Sequence, residues 1–280
     1  MSNLKPEEFR ITDQALGIWN LKKGAEVLDI GCGQGETVEY LEKEYGYKAR
    51  GIDLSKAMIK RGLARNPKLN IQYGDGEFLD GFLSYSFDGV MMENVLSFIG
   101  LPDEALHEAY CVLKKGGKLF ISDLFIKDPD TELLKAVEIE AQKQQSMPHP
   151  EDGCGSEHGE EECGCGEHTE ECGEVSDCDD CSDCGGCGEG ESESERAEEH
   201  RYRAVNFRSN GRFLIPPLLK QLKEIGYTNI AWEDCSVELD DVVAKRMRED
   251  TSEGRLCREM LNPNHKYKTG YFMLTAKKPL

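Results

Sequence analysis

The 280-residue sequence lacks the long apolar segments of membrane and secreted proteins and the basic excess of nucleic-acid-binding proteins. No apolar run approaches the roughly 18 residues that cross a bilayer, and the first ten residues contain no apolar segment of a signal peptide. The formal charge of −20 is concentrated: residues 151–199 hold 20 Asp or Glu and one Arg, and the other residues carry 34 acids and 33 bases. Without a basic excess, neither nucleic acid nor an anionic membrane surface is an expected partner. We expect a cytoplasmic protein, whose cysteines are thiols or metal ligands rather than disulfides.

The pattern from residue 24 to 126 alternates short apolar runs with helical segments, which is typical of βαβ units and a parallel sheet. Seven strands are predicted, five in this region and two near the C-terminus: Glu26–Ile30, Lys48–Asp53, Leu69–Tyr73, Phe87–Met92, Lys118–Leu124, Asn229–Asp234 and Tyr271–Lys277. Helices are predicted between them, after a short N-terminal helix that Thr12 would cap. Pro216 and Pro217 open a helix that runs to Ile225 and ends at Gly226.

The division into domains follows from composition. Residues 1–23 are expected to form a helical cap, and residues 24–147 and 200–280 one α/β domain. Residues 148–199 are expected to be an acidic, cysteine-rich insertion, disordered without metal because Gly, Ser, Asp, Glu, Cys and His cannot bury enough apolar surface.

The strongest motif runs from Glu26 to Gly35, where an apolar strand enters a G-x-G-x-G turn and a helix follows. Glycine at this spacing lets backbone N–H groups approach a ligand. The spacing differs from the G-x-G-x-x-G of dinucleotide oxidoreductases. Asp53 and Asp75 end the next two strands. Each could be an ordinary cap or turn residue, but together they predict a nucleoside site with Asp53 on the ribose and Asp75 on adenine.

These motifs resemble those of class I S-adenosylmethionine-dependent methyltransferases, in particular type-11-like methyltransferases with an unusual insertion. The matching segments are residues 27–35, 51–55, 74–75, 87–90 and 113–119. The resemblance implies a three-layer, Rossmann-like α/β fold with a seven-stranded, mostly parallel sheet whose last strand is antiparallel. It also implies S-adenosyl-L-methionine as cofactor. The expected cofactor residues are Asp29, Gly31, Cys32, Gly33, Gly35, Asp53, Leu54, Asp75, Gly76, Glu93 and Asn94.

The expected activity is methyl transfer to a small-molecule acceptor by in-line displacement, for which the protein mainly holds donor and acceptor in line. Glu93 is the candidate catalytic residue near the methyl group, with a hydrogen bond to the cofactor or a neighbouring loop as the alternative role. His107 is expected to be a surface or packing residue on helix Asp103–Leu113. The oligomeric state has no signal in the sequence.

The insertion contains four cysteines at every third position: Cys178, Cys181, Cys184 and Cys187. C-x-x-C pairs direct two sulfurs at one ion, so Zn²⁺, Cu⁺ or an iron–sulfur cluster is a possible second cofactor. The plain alternative is an acidic linker whose cysteines are incidental. Two other functions remain open: arsenite methylation, and a thiol-rich metal sensor on a methyltransferase scaffold.

Overall fold

A computed structural model describes residues 9–145, 204–238 and 265–280. Its helices are α1 (Arg10–Trp19), α2 (Glu36–Tyr40, continued by a π-helical turn Leu41–Tyr45), α3 (Lys56–Arg65), α4 (Pro102–Val112), α5 (Thr131–Gln145) and α6 (Ile215–Ile225). The strands are β1 (Glu26–Ile30), β2 (Lys48–Asp53), β3 (Ile71–Tyr73), β4 (Phe87–Glu93), β5 (Leu113–Ile126), β6 (Arg208–Ser209), β7 (Arg212–Phe213), β8 (Thr228–Asp234) and β9 (Thr269–Lys277).

Seven strands form the main sheet in the order β3-β2-β1-β4-β5-β9-β8. The first five are parallel, as apolar strands linked by helices require. β9 is antiparallel to both of its neighbours, which confirms the predicted reversal of the last strand. The two-residue strands β6 and β7, which the sequence pattern did not predict, form a small hairpin that pairs with the end of β5 and extends the predicted seven-stranded sheet to nine strands among the described residues.

Two apolar layers cover the faces of the sheet, because the buried parallel strands are apolar on both sides. On one face, α4 and α6 contribute buried residues such as Leu106, Leu218 and Leu222. On the other face, α1 contributes Leu16 and Trp19. The result is the predicted three-layer α/β fold. Among the described residues, no helix is long and apolar enough to cross a membrane.

The helix ends follow local chemistry, with one exception. The Ser55 hydroxyl accepts the Met58 N–H at 3.3 Å and caps α3. Gly226 ends α6 in the left-handed conformation, as predicted. Thr12, however, is not the cap of α1, because the helix begins at Arg10 and leaves Thr12 buried within its first turns.

Candidate active site at the carboxyl edge of the sheet

The glycine turn after β1 is held against β2 and remains open above Gly33. Both Gly31 and Gly33 have positive φ, 76° and 55°, which side chains other than glycine rarely adopt. The N–H groups of Gly31 and Cys32 donate to the Ile52 carbonyl oxygen at 2.8 and 2.9 Å. A Cβ built on Gly33 would meet no atom within 4 Å. The turn therefore offers open space next to its own backbone.

Helix α3 packs against this turn through Gly62. A Cβ on Gly62 would collide with the Gln34 carbonyl oxygen, so only glycine lets the helix lie this close. Arg65 donates to the same oxygen at 3.2 Å and pairs with Glu39, which also pairs with Lys43. Although burial opposes the charged form, the hydrogen bonds from Lys43 and Arg65 lower the pKa of Glu39 to about 2.

Asp53 joins the end of β2 to the glycine turn. Its Oδ2 accepts the Gly33 N–H at 2.8 Å, and its Oδ1 accepts the Ser55 N–H at 2.7 Å. A carboxylate has about four acceptor positions, so two remain for hydroxyl groups of a ligand. Leu54 follows with 47% of its surface exposed, which places an apolar side chain beside this carboxylate.

The loop after β3 lies against the same edge. The Gly74 N–H donates to the Asp53 carbonyl oxygen at 3.2 Å, and the Asp75 carboxylate accepts the Glu77 N–H at 2.9 Å. A Cβ on Gly76 would lie 2.6 Å from Ile30 Cγ2, at the end of β1. The loops after β1, β2 and β3 therefore meet in one place, as the sequence predicted from the shared strand direction.

Glu93 ends β4 with both carboxylate oxygens engaged. Oε1 accepts from Thr12 Oγ1 at 2.8 Å, and Oε2 from Thr37 Oγ1 at 3.3 Å. These contacts connect β4 to α1 and α2. The alternative role considered for Glu93 was a bond to the cofactor or a neighbouring loop; the partners here are side chains of two helices, and they fix where its carboxylate points.

Asn94 turns the chain sharply after β4, with φ of 55°. Its N–H donates to the Ser122 carbonyl oxygen at 2.7 Å, while its buried side-chain Oδ1 has no hydrogen-bond partner among the described residues. A buried acceptor without a partner is costly, so this oxygen is a natural point for a ligand N–H. Val95 follows directly against Gly31, where a Cβ would collide with its side chain.

Two residues that sequence reasoning missed clamp the loop that follows. Glu77 Oε1 accepts the N–H groups of Gly100 and Leu101 at 2.7 and 3.1 Å. The Arg208 guanidinium, on the β6–β7 hairpin, donates to carbonyl oxygens within 96–100. Burial raises the pKa of Glu77, and the two backbone N–H groups oppose that rise. Arg208 follows this loop by more than 100 residues in the sequence, so no local pattern could reveal the contact.

Asp29 and Cys32 lie beneath the turn rather than in its opening. Asp29 is 2% exposed and Cys32 is 8% exposed. Burial, reinforced by the charges of Asp29 and Asp53, raises the pKa of the Cys32 thiol far above its usual range. Cys32 is therefore a neutral thiol that packs next to Gly51, where a Cβ would lie 2.7 Å from its sulfur.

The eleven predicted cofactor residues lie at the carboxyl ends of β1, β2 and β4 and in the loops that follow β1, β2, β3 and β4, with Asp29 and Cys32 buried beneath the glycine turn. The four predicted metal ligands, Cys178, Cys181, Cys184 and Cys187, lie outside the described residues. The residues that the sequence did not single out are Thr12 and Thr37, which hold Glu93, and the clamp of Glu77 and Arg208.

Comparison with known proteins shows what part of the chain is similar to a known family. Residues 28–121 match the family described as "Methyltransferase domain". The ubiquinone biosynthesis O-methyltransferase of Coxiella burnetii is 34% identical over 125 residues, which cover 43% of this chain and 51% of that protein. The 18S rRNA (guanine(1575)-N(7))-methyltransferase of Saccharomyces cerevisiae is 29% identical over 134 residues, covering 44% and 48%. The chain thus spans about half the length of these curated relatives.

A solved structure supports the fold alone. The [4+2]-cyclase SpnF superposes with a TM-score of 0.58 at 17% identity, over 97% of this chain and 81% of that one. The matched family segment begins in β1 and ends in β5, so it contains the glycine turn, Asp53, Asp75 and Glu93. The segment from β1 to β5 therefore matches a methyltransferase domain, within a fold that solved structures share.

Proposed function

We propose that this protein is a methyltransferase that uses S-adenosyl-L-methionine to methylate a small-molecule acceptor. The observation that carries the proposal is the bond between the Gly33 N–H and the Asp53 carboxylate, at the point where three loops of the parallel sheet meet. Ligands of open α/β sheets bind at the carboxyl ends of the strands, and a glycine turn leading into a helix is suited to close backbone contact.

The residues present fit this cofactor. The open space above Gly33 leaves room next to the turn, and the orphaned Oδ1 of Asn94 is an acceptor for a ligand N–H. We assign the ribose hydroxyls to Asp53, whose oxygens keep free acceptor positions, and the adenine amine to Asp75. The exposed side chain of Leu54 would cover the apolar part of the nucleoside.

The remaining proposed cofactor residues act through backbone or charge. Gly31, Gly35 and Gly76 would contribute backbone to the walls of the site, because a Cβ at each would collide with a neighbouring side chain. Cys32 would contribute its backbone within the glycine turn, with its side chain buried beneath. Asp29 supplies negative charge beneath the turn, which favours an ammonium group above it. Asp29 is nearly inaccessible, so we assign it an electrostatic effect rather than a direct contact.

When bound, S-adenosyl-L-methionine supplies a methyl group already activated on a sulfonium. The chain must therefore orient both reactants and exclude water, rather than build a reactive group. The hydrogen bonds from Thr12 and Thr37 hold Glu93 at the end of β4 with a defined orientation. We propose that Glu93 lies beside the reacting atoms, where it accepts a proton from an acceptor that must lose one.

A small-molecule acceptor is favoured over nucleic acid by charge, because the chain outside residues 151–199 is nearly neutral. One curated relative is named for ubiquinone biosynthesis and another for 18S rRNA, so the family by itself does not decide the acceptor. A cytoplasmic location is part of the same proposal, and it predicts that the cysteines are reduced.

Transfer of a labelled methyl group tests the activity. Purified full-length protein is incubated with labelled S-adenosyl-L-methionine and, in separate reactions, with a host metabolite fraction, arsenite or total RNA. Label should enter a small organic product, and the Asp53→Asn variant should lose that product while Asp80→Asn, at an exposed acid, retains it. Label in RNA or in methylated arsenic would replace the proposed acceptor class, and no transfer in any reaction would contradict the proposed activity.

For the insertion we propose metal binding by Cys178, Cys181, Cys184 and Cys187, on the strength of the C-x-x-C spacing. Metal analysis of the isolated protein should show bound Zn, Cu or Fe, and replacement of the four cysteines by serine should remove it. Equal metal content in both proteins would favour the acidic-linker interpretation. Loss of metal together with a lack of methyl transfer by the intact protein would favour the sensor function instead.

A further inference from the structure

Helix α4 carries three potential metal ligands on one side. His107, Glu108 and Cys111 each offer a ligand atom, and these atoms all lie within 4.8 Å of one another. Among the described residues, this is the only group of three such side chains that converges so closely. His107 is exposed, and Glu108 and Cys111 are half-buried. An ion from solvent can therefore reach the group directly.

The spacing of the group comes from the helix itself. His107 and Cys111 are one turn apart, so their side chains lie on the same side of α4. The opposite side of the helix, which includes Ala105 and Ala109, is fully buried in the core. Because that packing fixes the rotation of α4, the ligand-bearing side stays directed outward.

The distance between the His107 and Cys111 ligand atoms suits a tetrahedral ion. Nδ1 of His107 lies 3.7 Å from Sγ of Cys111. With Zn–N of about 2.0 Å and Zn–S of about 2.3 Å, a tetrahedral angle separates nitrogen and sulfur by roughly 3.5 Å. Rotation of either side chain by a small amount closes the difference, without movement of the backbone.

Glu108 is already oriented from outside the helix. Its Oε2 accepts the backbone N–H of Leu79 at 3.0 Å, in the segment that follows β3. Ligating carboxylates are commonly held by such an outer hydrogen bond, which fixes the direction of the other oxygen. A bound ion would therefore connect α4 more firmly to this segment.

One nearby cation, the ammonium group of Lys278, opposes the binding of a metal ion at this group. Lys278 lies close enough to Cys111 for their charges to interact. Its ammonium group donates to the Tyr110 carbonyl oxygen at 2.6 Å and lies over the rings of Tyr110 and Tyr85, at 4.4 and 4.1 Å from their centres. These contacts hold the ammonium to the aromatic rings, while a divalent ion would gain a carboxylate and a thiolate.

We propose that His107, Glu108 and Cys111 bind one thiophilic divalent cation, with Zn²⁺ as the ion of best fit and water in the fourth position. One nitrogen, one oxygen and one sulfur ligand suit Zn²⁺ or Co²⁺, whereas Mg²⁺ and Ca²⁺ prefer oxygen ligands alone. On binding, the Cys111 sulfur forms the bond to the ion and its thiol proton passes to solvent. None of the three residues belongs to the proposed cofactor site, so the two sites can be tested separately.

Co²⁺ is the appropriate probe because a sulfur ligand gives it a charge-transfer absorption band in the near ultraviolet. The eight cysteines of residues 154–187 are first replaced by serine in the full-length chain, so that the insertion cannot supply the signal. This parent protein should bind one equivalent of Co²⁺ with that band, and Zn²⁺ should displace it. Zn²⁺ should also raise the melting temperature of the parent.

Three variants of this parent complete the test. His107→Ala, at an exposed position, should weaken Co²⁺ binding at least about tenfold. Cys111→Ser should abolish the sulfur band, while the matched control Cys235→Ser, at a buried free cysteine elsewhere, should keep it. No stoichiometric band in the parent, or an unchanged band in either His107→Ala or Cys111→Ser, would overturn the proposal.

Discussion

Replacement of Asp53 by asparagine separates the two roles that the structure gives this carboxylate. In the structure, its oxygens accept the N–H groups of Gly33 and Ser55. In the proposed complex, they also accept the ribose hydroxyls. Asparagine keeps the shape of the side chain but turns one of the two oxygens into an NH₂ donor. One of the two backbone N–H groups then faces another donor.

The expected losses can be estimated for each role. A backbone donor left without its acceptor costs about 1–3 kcal/mol in the free energy of unfolding. Hydrogen bonds to a charged group contribute about 1.5–3 kcal/mol, so loss of one such bond to the ribose raises the dissociation constant roughly 10- to 150-fold. Asp53→Asn should therefore reduce the free energy of cofactor binding and the free energy of unfolding by similar amounts, so each must be measured separately.

Titration calorimetry with S-adenosylhomocysteine, together with chemical denaturation, measures both effects on the same samples. Asp80→Asn is the matched control, because Asp80 is an exposed acid in the segment after β3. A dissociation constant within threefold of the unsubstituted protein in a folded Asp53→Asn variant would refute the assigned role of this carboxylate.

Three further outcomes follow from the contacts. The pKa of Glu39 in the folded protein lies near 2, below its ordinary 4.5, so its ion pairs stabilise the fold fully above pH 4.5. This stabilisation, at most about 3 kcal/mol, is lost as the pH falls towards 2. Thermal melting across this range should show a flatter decline for Glu39→Gln. Gly62→Ala should lower the melting temperature despite the better helix propensity of alanine, whereas Gly17→Ala, in open space on α1, should raise it. Thr12→Val removes one of the donors that hold Glu93, so it should lower the free energy of unfolding by about 1 kcal/mol and lower kcat more than it changes KM. An unchanged kcat would show that this orientation of Glu93 has no catalytic importance.

Local pattern predicted most of the sheet, because strand direction and apolar runs are encoded over a few residues. The bounds of β1 and β2 were predicted at both ends, and β9 was predicted within two residues. β3 is two residues shorter than predicted. β5 starts five residues earlier than Lys118, because Leu113 already pairs with Phe87 of β4 before an irregular segment shifts the register. Short strands such as β6 and β7 carry too few residues for a pattern.

The sequence predicts those parts of the site that lie at the ends of strands. The meeting of Gly33, Asp53 and Asp75 follows from parallel strands that share one direction. The contacts of Thr12 and Arg208 do not, because each joins residues separated by 80 positions or more. Thr12 was predicted to be a helix cap from its local context, and tertiary packing gives it a different partner.

The central claim is that three loops of the sheet bind one sulfonium nucleoside. Amide hydrogen exchange of the full-length protein, with and without S-adenosylhomocysteine, tests this claim most directly. We predict that the ligand slows amide exchange in all the peptides that contain Gly33, Asp53 or Asp75. Exchange in the peptides of α4 around His107 should not change. Saturating ligand that leaves exchange unchanged in all three segments, or that protects only one of them, would contradict the account.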